Sequence, residues 1–120
     1  MAKRRMFSPR VTETGRFMML SVTAQLLYFH MGMIADDDGF ADCYSLVRSI
    51  EITGSEFDEL TKNGYIIPVP GRPYVCYICD WLESNNIRKE RYRESIYHDL
   101  IPELQKKKMD TERNRIVQFG

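Results

Sequence analysis

The period of the apolar pattern changes once along this chain, at Asn63-Gly64, and that change limits the folds open to it. Beyond it lie two β-rich runs, Tyr65-Ile66-Ile67-Pro68-Val69 and Tyr74-Val75-Cys76-Tyr77-Ile78, around Pro70-Gly71-Arg72-Pro73. β-Branched and aromatic runs flanking a Pro/Gly turn predict a hairpin. Pro68 has no N–H to donate, so the first run belongs at a sheet edge or a bulge.

Before the change the spacing is helical. Ser21 is a natural N-cap, and Val22, Leu26, Phe29 and Met33 share a face with Leu27 and His30 beside it. Gly32 and the cluster Asp36-Asp37-Asp38-Gly39 end this helix and turn the chain, with Gly39 suited to a positive φ. Asp42 can cap a second helix carrying Leu46, Val47 and Ile50. Thr53-Gly54-Ser55 breaks the chain again, and a third helix from Glu56 stops after Lys62 at Asn63-Gly64. The expected core is Phe17, Leu20, Leu26, Leu27, Phe29, Leu46, Ile50, Leu60, Ile66, Val75 and Trp81.

Three short helices, a hairpin and a polar extension make an α+β chain in the order of a winged helix, the winged form of the helix-turn-helix. We expect a winged-helix domain with a basic N-terminal arm over residues 1–97. A charged helical or flexible C-terminal extension follows over 98–120, with no evident core face after Pro102. At 120 residues and 43% hydrophobic content, one folded domain with its own core is expected. The apolar run from Phe17 to Met33 is interrupted by Ser21, Thr23, Gln25 and His30, too polar for a membrane span. Lys3-Arg4-Arg5 is not followed by a signal-peptide core, so the expected location is cytoplasmic.

The net charge of zero conceals a strong asymmetry. Residues 1–33 carry five Lys/Arg against one acid, and residues 84–120 carry nine against six. Between them, residues 34–83 hold three basic and ten acidic residues. Chain ends often lie close together, so two basic ends can form one cationic surface.

Three groups of residues invite a chemical reading. Asp36-Asp37-Asp38-Gly39 lacks the alternation and closing Glu of a calcium loop, and an acidic turn fits it better. Cys76-Tyr77-Ile78-Cys79 has metal-ligand spacing, but strand alternation sends its two sulfurs to opposite faces, and there is no second such pair. No nucleophile-base signature or phosphate-binding glycine loop is present, so neither catalysis nor a metal or other cofactor is expected. The third group, Asn85-Asn86-Ile87-Arg88-Lys89-Glu90-Arg91-Tyr92-Arg93, packs four cations and a Tyr behind two Asn. Arg and Lys neutralise phosphates, Asn pairs with an adenine edge and Tyr stacks on an unpaired base.

The third helix cuts against the simplest model. A helix-turn-helix sends that helix into the major groove, yet here it carries Glu56, Asp58 and Glu59 against Lys62. Carboxylates facing phosphates repel them. DNA contact is therefore expected through the chain ends and the wing tip, leaving the acidic helix for a protein partner. Lys3, Arg4, Arg5, Arg72, Arg88, Lys89, Arg91 and Arg93 are the candidate phosphate contacts. Asn85, Asn86 and Tyr92 are the candidates for base contact.

Several stretches taken together carry a resemblance over about residues 3 to 97. They are Lys3-Arg4-Arg5-Met6-Phe7-Ser8, the helix around Ala24-Gln25-Leu26-Leu27-Tyr28-Phe29-His30, Ala35-Asp36-Asp37-Asp38-Gly39-Phe40, Trp81, and Asn86-Ile87-Arg88-Lys89-Glu90-Arg91-Tyr92. They resemble the N-terminal domain of phage replisome organizers, the DnaD-like phage replication proteins. Ile34 stands where that family tends to carry Arg, and the segment near Met18-Met19-Leu20 lacks its usual proline. The resemblance implies a winged-helix fold and a role in starting phage DNA replication, by binding the origin and helping to bring the host helicase and its loader there. It implies no catalytic residue. The expected function is a non-enzymatic DNA-binding module of a phage or prophage replication initiator, with DNA, single- or double-stranded, as partner. The alternatives are a protein-interaction or homo-oligomerisation winged helix without DNA binding, or a winged-helix transcription regulator.

Overall fold

A computed structural model of the protein describes residues 6–49, 54–81, 85 and 92–107. Its architecture is α+β, a three-stranded antiparallel sheet with helical segments packed on both faces. Ser8 and Thr14 cap two single-turn helices, α1 (Pro9–Thr12) and α2 (Gly15–Met18), in a stretch without sequence period. Ser21 caps α3 (Val22–Ile34), its side chain accepting from the Ala24 N–H at 3.1 Å. The chain continues through β1 (Phe40–Asp42), α4 (Tyr44–Ser49) and α5 (Gly54–Lys62). It then forms the hairpin of β2 (Ile66–Pro68) and β3 (Val75–Ile78). Asp42 caps α4 as expected, taking the Tyr44 N–H at 3.2 Å. A 3₁₀ turn, His98–Leu100, leads into helical residues 101–107. No helix among the described residues is long and apolar enough to cross a membrane.

The sheet order is β1-β3-β2. Phe40 pairs with Tyr77 on one side of β3, and Ile67 pairs with Tyr77 on the other. Pro68 thus sits on an edge strand, where a missing N–H removes no ladder bond to a further strand. Strand β1 has no signal of its own, being three residues after an acidic turn, and it forms because β3 offers it an edge. Alternation along β3 then separates two cores. Cys76 and Ile78 face the helices with Ala41 and Ile66, whereas Val75, Tyr77 and Cys79 face the opposite side with Phe40 and Ile67. Cys76 and Cys79 lie in different cores, as alternation requires. Cys76 meets Cys43 instead, and the Cys43 thiol is pushed far up by that hydrogen bond and by burial, which makes it inert.

The buried face of α3 differs from the expected one. Ala24, Leu27, Tyr28 and Met31 are buried against Phe17, Leu60 and Tyr65, while Leu26 and Phe29 are 44% and 36% exposed. Val22 and Met33 also face outward. The helix contains no Lys, Arg, Asp or Glu, so its own pattern does not distinguish one face from the other. Small residues decide it. Ala24 is fully buried, and a Cβ at Gly32 would collide with the Phe7 ring, so this side admits the closest approach. Leu46 is only partly buried, and Ile50 lies outside the described residues. After Pro102, Leu104 does supply a core contact, 1% exposed in the second core beside Tyr97, Leu100 and Ile101.

Urea denaturation tests this assignment directly. Leu27→Ala is expected to destabilise the protein by about 2–5 kcal/mol through cavity formation. Leu26→Ala, one position away on the outer face, is expected to change stability by less than about 1 kcal/mol.

Candidate nucleic-acid interface

The residues expected to meet DNA fall into three groups. Lys3, Arg4, Arg5, Asn86, Arg88, Lys89 and Arg91 lie outside the described residues. Arg72 is exposed in the hairpin turn, where Gly71 takes φ 77° and the Arg72 N–H donates to the Val69 carbonyl at 3.1 Å. Asn85, Tyr92 and Arg93 are held by bonds that explain their positions.

Asn85 is 6% exposed, and both ends of its amide are engaged. Its Oδ1 accepts from the Met6 N–H at 2.8 Å, and its Nδ2 donates to the Met6 carbonyl at 3.3 Å and the Trp81 carbonyl at 3.2 Å. A reciprocal pair of this kind fixes one backbone against another as a strand pair does. Met6 closes the N-terminal basic arm, and Asn85 opens the second basic segment. One side chain therefore joins the roots of the two cationic runs, 79 residues apart in sequence.

The far end of the second basic segment is anchored on the acidic turn. Asp36 Oδ1 accepts from the N–H groups of Asp38 and Phe40, shaping the turn itself. Gly39 follows at φ 93°, with Trp81 packed where a Cβ would stand. Trp81 Nε1 donates to the Asp37 carbonyl at 3.0 Å. Asp37 Oδ2 takes the Arg93 N–H at 2.8 Å and Asp38 Oδ2 takes the Ser95 N–H at 2.8 Å. The Tyr92 hydroxyl donates to Asp38 Oδ1 at 2.6 Å, and His98 Nδ1 stands 3.1 Å from Asp38 Oδ2. Burial and the Asp38 hydrogen bond push the Tyr92 hydroxyl up, so it stays a protonated donor. Asp36 thus shapes the turn, and Asp37 and Asp38 serve as acceptors for chain 92–98. The exposed Arg93 side chain remains free of the bond that its own N–H makes.

Third-helix acidity is partly resolved by geometry. Glu59 turns toward α3, taking the Ser21 N–H at 2.7 Å and the Ser21 hydroxyl at 2.8 Å. Ser55, Asp58 and Lys62 remain on the solvent face of α5. Two further features lie outside the contacts expected from the sequence. One is the Asp38–Tyr92–His98 cluster, whose members are 54 and 60 residues apart. The other is an aromatic pair, Tyr44 and Tyr74, beside Arg48. Arg48 lies four residues after Tyr44, a helical spacing that carried a legible signal, whereas Tyr74 joins only through the sheet.

The hydrogen bond to Asp38 raises the pKa of His98 above its ordinary 6.5, with Glu94 adding in the same direction. A raised histidine pKa stabilises the folded Asp38–His98 contact fully below pH 6.5, and the contribution is lost as pH rises through the folded-state value. An NMR titration of the imidazole is expected to give a midpoint above 6.5, returning toward 6.5 in Asp38→Asn.

Comparison with models of protein families, with curated protein sequences and with solved structures finds no match for this chain.

Proposed function

We propose that this chain is a winged-helix module that binds DNA without catalysing a reaction, the module of a phage or prophage replication initiator. The observation carrying the DNA reading is the Met6–Asn85 pairing, which draws the roots of two basic runs together on a domain whose middle is acidic. The order α3-β1-α4-α5-β2-β3 with sheet order β1-β3-β2 supports the winged helix, with the β2–β3 turn as the wing. The replication role rests on the resemblance of the basic arm, the α3 segment, the acidic turn and the second basic run to phage replisome organizers. A host helicase or its loader is the protein partner in this reading.

Within it, Lys3, Arg4, Arg5, Arg72, Arg88, Lys89, Arg91 and Arg93 neutralise phosphates, and Asn86 reaches a base. Asn85 and Tyr92 act by position, holding the basic runs to the body of the domain. A second reading has its own support. Val22, Leu26, Phe29 and Met33 form an exposed stripe at spacings of four, three and four residues, the pattern of a helix-pairing seam. That stripe favours a protein-interaction or oligomerisation module.

Fluorescence anisotropy over a salt series separates the two. A DNA-binding module is expected to lose affinity steeply with salt. Replacing Arg88, Lys89, Arg91 and Arg93 with Ala should reduce the slope of log K against log salt by about three to four. Absence of binding at low salt, with a stable dimer in sedimentation that Leu26→Glu dissolves, supports the interaction module instead.

A further inference from the structure

A second aromatic and cationic cluster lies away from the two basic runs. Tyr44 begins α4, and Tyr74 immediately precedes β3. The Cys43 N–H donates to the Tyr74 carbonyl at 2.7 Å, which fixes the two segments side by side. The rings stand 5.3 Å apart between centroids at 76°, yet they remain 48% and 39% exposed. In an edge-to-face pair, the ring that presents its edge keeps both faces clear of its partner. Arg48 reaches back one helical turn, its Nη1 donating to the Tyr44 hydroxyl at 2.9 Å and its guanidinium 5.7 Å from that ring's centroid. Arg72 is exposed in the hairpin turn two residues before Tyr74. The one carboxylate beside this cluster on its own strand, Asp42, accepts the Tyr44 N–H.

We propose that Tyr44, Tyr74 and Arg48 form a stacking platform for an unpaired base of single-stranded DNA, with Arg72 taking the adjacent phosphate. Two observations and one property of the duplex converge on that ligand. Two rings left half in water are a surface that a flat apolar partner covers, and every nucleobase has such a face. Bases inside a duplex have both faces stacked on neighbours, so only an unpaired base can use the rings. The guanidinium is positioned in advance by the Tyr44 hydroxyl, and alternating aromatic and cationic groups suit a strand of bases and phosphates. The platform rests on the DNA-binding reading above and specifies the strand state that it selects.

The test uses the full chain and three probes: an oligothymidylate of about 16 nucleotides, near the upper site size of roughly 4–16, its abasic analogue, and a duplex of the same length. In anisotropy titrations, Tyr44→Ala and Tyr74→Ala are each expected to weaken oligothymidylate binding at least about fivefold, the smallest loss when one stacked base is removed. Duplex and abasic binding should change less than about twofold in this range. Tyr44→Phe keeps the ring but loses the hydroxyl that positions Arg48, and should lose less affinity than Tyr44→Ala. Melting curves check that the variants fold. Photo-crosslinking of an iodouracil-substituted strand, read by mass spectrometry, should label Tyr44 or Tyr74 in the unaltered protein. Alanine variants that bind oligothymidylate like the parent, labelling elsewhere, or a parent that binds duplex alone each overturn the platform and leave DNA binding standing. A parent that binds no probe at low salt overturns both.

Discussion

The four-residue turn Asp36-Asp37-Asp38-Gly39 holds this structure together. It ends α3, reverses the chain into β1 and supplies hydrogen-bond acceptors to a segment more than 50 residues away. Three adjacent carboxylates repel one another in water, and nearby donors relieve that repulsion. The turn has such donors on all sides: its own N–H groups at Asp36, those of Arg93 and Ser95 at Asp37 and Asp38, and the Tyr92 hydroxyl. Gly39 is needed because the backbone adopts φ 93° and Trp81 occupies the place of a side chain. The Trp81 indole N–H closes the arrangement on the Asp37 carbonyl.

This acidic hub explains how a neutral chain presents cations. Several acids of the middle segment are engaged inward, Asp36 with its own turn, Asp37 and Asp38 with the chain after the hairpin, and Glu59 with the start of α3. Basic side chains such as Arg72 and Arg93 stay exposed at the surface. Asn85 performs the matching task at the other end of the second basic run, tying it to the N-terminal arm. In the proposed function these anchors do the positioning, and phosphate contact is left to cationic side chains that need no buried geometry.

Helix α3 illustrates a helix with two usable faces. One carries Ala24, Leu27, Tyr28 and Met31 into the core, and the other leaves Val22, Leu26 and Met33 in water. A helix without charge has no built-in inside and outside, and the close approach of Phe7 to Gly32 breaks the tie. The exposed stripe is the feature that most favours a partner protein.

Much of the local structure was legible in the residues themselves. Ser21 as a cap, Asp42 as a cap, the stop at Asn63-Gly64, Gly39 at positive φ, the hairpin around Pro70-Gly71 and Pro68 on an edge all follow from interactions within a few residues. The separation of Cys76 from Cys79 likewise follows from the two-residue period of a strand. Tertiary structure alone decided which face of α3 is buried, that Phe40–Asp42 pairs with β3, that Leu104 reaches a core, and that Asn85 holds Met6 and Asp38 holds Tyr92 and His98. Caps and turns are set by groups that the chain places next to each other before it folds. Each of the others depends on a surface or a donor that comes into reach only when distant segments meet, so nothing in the neighbouring sequence marks it.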